Sequence, residues 1–98
     1  MVVIAHYNQV KGVLQACRAD TARDPRMPRL LGDLCMNAKA YMDGVVKEGH
    51  TTKGPGQETI LLQANLLGSL AALSRHGFHF PNLPHKDLCE CLVTAMGS

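Results

Sequence analysis

Tryptophan is absent from this chain, and the aromatic residues are only Tyr7, Tyr41, Phe78 and Phe80. A core must therefore be built from leucine, valine, methionine and alanine. That supply suits helices better than sheets, because strands favour β-branched and aromatic side chains. Long apolar runs are also missing. The richest stretch, from Ile60 to Leu73, is broken by Gln63, Asn65, Gly68 and Ser69, well short of the roughly 18–20 apolar residues that span a bilayer. A strong charge of either sign is lacking as well. The net charge of +2 with neutral histidines is too small to draw in nucleic acid by bulk attraction, and leaves room only for a local patch.

The opening Met1-Val2-Val3-Ile4-Ala5 is interrupted at once by His6, Asn8, Gln9 and Lys11, so it makes no signal-peptide h-region. A cytoplasmic location is the expectation. The four cysteines, Cys17, Cys35, Cys89 and Cys91, are accordingly read as reduced thiols rather than disulfide halves. Cys17 and Cys35 fall at core positions, where a thiol acts as a small hydrophobe.

What is present is helical periodicity. The 98 residues, 46% of them hydrophobic, have room for one modest core. The sequence predicts an all-α fold, a single-domain antiparallel bundle of about four helices covering about 2–19, 25–48, 57–75 and 83–96. In the first, Val3, Tyr7, Val10, Leu14 and Cys17 recur at spacings of four and three, nearly a heptad seam. Asp24 reads as the N-cap and Pro25 as a first helical residue, so the second helix can begin at Pro25 or near Met27. A wide apolar face follows through Met27, Leu30, Leu31, Leu34, Cys35, Ala38, Tyr41, Met42 and Val45. Gly49 reads as its end, and Gly49 to Gly56 as a loop with Pro55 able to open the next helix. The third helix is the most apolar, with Ile60, Leu61, Leu62, Leu66, Leu67, Leu70 and Leu73. It is expected to be central or shared with a second subunit. Its Ala64, Gly68 and Ala72, four residues apart, predict close helix packing. Gly77 ends it. Phe78, Phe80 and Leu83 are expected to fold back onto the bundle, and Asn82 to cap the fourth helix, which carries Leu88, Cys91 and Leu92.

His76, His79, His85, Cys89 and Cys91 lie close in sequence and are zinc or copper ligand types, which makes a metal sensor or carrier one reading. The matching second Cys-x(2–4)-Cys pair of a structural zinc site is missing, and residues two apart on a helix point to different faces. The plain reading is one core thiol, one partly exposed thiol and histidines in or near loops. His50-Thr51-Thr52-Lys53-Gly54 resembles the histidine, lysine and glycine spacing of histidine phosphotransfer domains, themselves four-helix bundles. That resemblance would imply a phosphoryl-carrying His50. Gly49, Pro55 and Gly56 depart from the family by placing His50 in a loop. Arg18, Arg23, Arg26 and Arg29 form a basic cluster diluted by Asp20 and Asp24, suited to phosphates and hence to a small nucleic-acid-binding regulator. No pair of acids faces an apolar pocket, and the spacing of His85 and Cys89 offers a Cys–His pair with no third group to orient it. An enzyme is not expected, nor a cofactor.

The surplus of apolar surface carries the leading expectation. It is a helical protein-interaction module, an adaptor, inhibitor or regulatory subunit, homodimeric through helix 1 or helix 3. That surface is expected at Leu62, Leu66, Leu70 and Leu73, with Gly68 setting close approach.

Overall fold

The computed structural model describes residues 4–48 and 56–96. It is an all-α bundle of four helices, and the described residues include no strand. The first helix, α1 (Ile4–Ala19), turns Val10, Leu14 and Cys17 inward, so its seam is spent inside its own chain. Val2 and Val3 lie outside the described residues. A short 3-10 turn, Asp20–Ala22, follows.

The second helix, α2 (Met27–Glu48), begins at the later of the two expected starts. The reason is local. Oδ1 of Asp24 accepts the backbone N–H of Arg26 at 2.9 Å, which is an Asx turn. The helical bonds then start from the Arg26 carbonyl, which accepts the Leu30 N–H at 3.0 Å. Met27, Leu31, Leu34, Ala38 and Tyr41 are buried at alternating spacings of four and three. Cys35, expected in the core, is only half-buried. Gly49 and the loop through Pro55, with the phosphotransfer-like residues from His50 to Gly54, lie outside the described residues.

The third helix, α3 (Gln57–Arg75), has Gly56 as its N-cap. It runs antiparallel to α2, because contacts pair ascending residues of one with descending residues of the other. Asp24 meets His76, Asn37 meets Ser69 and Asn65, and Gly44 abuts Leu62 and Thr59. The close approach of the two helices is made by Gly44. The expected small-residue line does not make it, since nothing lies within 4 Å of where a Cβ on Gly68 would stand. Gly77 ends α3 with φ +89°, a backbone that glycine adopts without strain. The N–H groups of Gly77 and Phe78 close on the carbonyls of Ser74 and Leu73, each at 3.0 Å, the Schellman arrangement. Phe78, Phe80 and Leu83 then pack against the core as expected.

The last helix is α4 (His85–Met96). Its first helical bond goes to the Pro84 carbonyl, 2.9 Å from the Leu88 nitrogen, while Asn82, the expected cap, stays exposed in the connection. α2, not α3, is the central element, packing on α1, α3 and α4. The short α4 packs on both α1 and α2, and Leu88, Cys89, Cys91 and Leu92 are all buried. A helix between two neighbours can bury residues two apart, so both thiols are core thiols. α3 packs chiefly on α2, which leaves its far side open. No helix of the described residues is long and apolar enough to cross a membrane.

Candidate interaction surface

Laid out at about 100° per residue, α3 carries two apolar faces on opposite sides. The inner one holds Thr59, Leu62, Leu66, Leu70 and Leu73. Leu66 and Leu73 are 0% exposed, and Leu62 and Leu70 are half-buried against the same core. These are four of the five residues assigned to an interaction surface from sequence, and they bury their area on the chain's own α2 and core. The fifth, Gly68, lies exposed on the outer side.

The outer face was missed. Ile60 is 58% exposed, Leu61 62% and Leu67 44%, with Ala64 and Ala71 exposed beside them. A signal for it existed, since Ile60, Ala64, Leu67 and Ala71 recur at spacings of four, three and four. Two faces with the same period cannot be told apart until the neighbour is known. Apolar residues exposed together on one helix face, unlike scattered ones, mark interaction sites.

Two clefts flank this ridge. Toward α2, Ala64, Gly68 and Ala72 face Leu30 and the exposed Met36 across about 450 Å³. Asn37 crosses between the two helices, its Nδ2 donating to Ser69 Oγ at 2.6 Å and to the Asn65 carbonyl at 3.3 Å. On the other side, Leu67, Leu70 and Ala71 face Phe80 and Leu83 across about 400 Å³. A separate open cleft of about 610 Å³ lies between Gly12, Val13 and Ala16 of α1 and the turn Gly77–Pro81.

The His/Cys residues are held by separate partners. His76 Nδ1 lies 3.1 Å from Asp24 Oδ2. Nδ1 of His79 lies 3.1 Å from Ser74 Oγ. The His85 ring stands edge-on to Tyr41, 6.2 Å between centroids. Burial pushes the Cys89 thiol up to about 12, and Cys91 is raised by burial and then by the charges of Asp87 and Glu90. Among the described residues no group of three His, Cys, Asp or Glu side chains could hold a metal ion.

Arg18, Arg23, Arg26 and Arg29 are all exposed. Arg26 pairs with Asp24, Nε to Oδ1 at 3.5 Å, and among the described residues the other three make no ion pair.

The chain matches no protein-family model, and no curated protein or solved structure is similar enough to it to indicate a relationship.

Proposed function

We propose that the chain is a small helical protein-interaction module that self-associates as a homodimer through the outer face of α3. The observation that carries this reading is the exposed set Ile60, Leu61 and Leu67 on a helix whose other face is already packed on α2. Burying such side chains is worth about 25 cal/mol per Å² of apolar area removed from water. The seam of α1, the other candidate, is occupied by its own core.

Sedimentation velocity over a dilution series tests this. Wild type is expected to show a dimer that dissociates on dilution. The double variant Leu61→Glu, Leu67→Glu is expected to stay monomeric with unchanged helicity, since both side chains are exposed. A wild type that is monomeric throughout would falsify the reading.

A second reading is binding to nucleic-acid phosphates. It rests on the exposed Arg18, Arg23 and Arg29, whose charges no acid among the described residues neutralises as an ion pair. Retardation of duplex DNA at about 50 mM salt, lost steeply as salt rises, is its expected signature. No retardation at that salt ends it.

A further inference from the structure

We infer that the occupant of the outer α3 face is the same face of a second copy, lying antiparallel about a two-fold axis level with Leu66. This rests on the self-association reading above and adds to it an orientation and a register. Gln57, Leu61, Ala64, Gly68, Ala71 and Arg75 are all exposed and alternate at spacings of four and three, the period of a helix–helix seam.

Reversing one copy about the level of Leu66 sets Leu61 opposite the partner's Ala71, and Ala64 opposite the partner's Gly68. The bulky residue faces a small one, and two small residues meet at the closest approach. Nothing of the chain's own lies within 4 Å of a Cβ at Gly68, so another helix has room to come close there. A parallel pair would set Leu61 on Leu61 and Gly68 on Gly68, wide at one layer and hollow at the next.

Charge selects the same arrangement. Residues 59–74 carry no charged side chain and no histidine, and the charged residues of α3 are Glu58 at one end and Arg75 at the other. A strongly basic or acidic partner would find no mate along this face. An antiparallel second copy brings each Glu58 within one residue, about 1.5 Å along the axis, of the level of the partner's Arg75, twice by symmetry. A parallel pair would bring like charges together at both ends, which is destabilising. The 19 residues of α3 make a strip about 28 Å long and about 10 Å wide, less than the roughly 800 Å² per partner of a standard interface. The dimer is therefore a dissociating one.

Disulfide trapping reads the register directly. Gln57→Cys and Arg75→Cys are made separately, each with Cys35→Ser to remove the half-buried thiol, and their folding is checked by circular dichroism. Mixed and mildly oxidised, they are expected to give the 57–75 cross-link, with neither variant cross-linking to itself. Gly68→Gln, which fits the free monomer, is expected to weaken association at least tenfold. A 57–57 cross-link would overturn the antiparallel orientation. A dimer in sedimentation with neither cross-link would overturn the register while leaving self-association standing, and a monomer would end both.

Discussion

Nδ1 of His76 lies 3.1 Å from Oδ2 of Asp24, tying the turn before α2 to the C-cap of α3. Two helices that pack along their length are thereby also held together at the end where no segment of chain joins them directly. Asp24 is already committed locally, since its other oxygen takes the Arg26 N–H.

Those contacts set an acid limit. The Arg26 N–H bond, more than the charges of Arg26 and His76, holds the Asp24 carboxyl below the usual carboxylate range, against a smaller upward push from burial. With the folded value lowered, the contribution to stability is present above the unfolded value of about 3.9 and is lost as pH falls through the folded one. Asp24→Asn keeps the turn and removes the charge. It is expected to melt below wild type at neutral pH, with the gap closing in scans taken below about pH 3.9.

Two glycines of α2 are expected to respond oppositely to a side chain. Nothing lies within 4 Å of a Cβ at Gly32, so Gly32→Ala gains up to about 1 kcal/mol of helix propensity and raises Tm by roughly 4–8 °C. A Cβ at Gly44 would stand 2.7 Å from Leu62 Cδ1. Leu62 can yield to a methyl group, so Gly44→Ala is near neutral. Gly44→Val is expected to cost about 1–3 kcal/mol by overpacking. Denaturant titration of the three variants checks the ordering, and an equal gain for both alanines would contradict the close approach.

Asn37 is expected to couple to Ser69. Asn37→Ala removes the donor to Ser69 Oγ and to the Asn65 carbonyl and is expected to cost about 0.5–1.5 kcal/mol. In a double-mutant cycle with Ser69→Ala, a coupling of at least about 0.5 kcal/mol is expected. An additive pair would place this bond outside the energetics of the α2–α3 contact.

The thiols are expected to label in order of burial. Cys35 is half-buried, while Cys17, Cys89 and Cys91 are buried, and burial pushes Cys89 up to about 12. A thiol reagent at neutral pH should modify Cys35 first and the other three only on unfolding, because the thiolate is the reacting form. The raised Cys89 value also means that stability falls as pH climbs above the ordinary thiol range, where the unfolded chain gives up its proton first. Early labelling of Cys89 in the folded protein would contradict its place in the core.

Periodicity made the helices legible, and the seams of α1 and α2 could be read almost residue by residue from Val10, Leu14 and Cys17 and from Met27, Leu31 and Leu34. The start of α2 was legible only as Pro25 or Met27, and the Asx turn of Asp24 decides for the later; α4 begins two residues past the expected Leu83. The rank of the helices was not legible, because apolar content does not say how many neighbours an element has. α3 is rich in leucine yet rests chiefly on α2, whereas α4, with fewer large apolar residues, sits between two helices. Of the residues expected to form a surface on the third helix, Leu66 and Leu73 are buried and Leu62 and Leu70 pack against the chain's own core. Leu66 and Leu67 are adjacent in sequence, and only the neighbouring α2 decides which of them is hidden.

The one-sided seat of α3 links the amount of protein to its durability. The helix that displays the outer face is also the one held chiefly from a single side, by α2. A second copy laid over it would clamp it between α2 and its twin, and by mass action the same association that joins two chains would hold each of them shut. Dilution would then loosen the fold as well as the dimer.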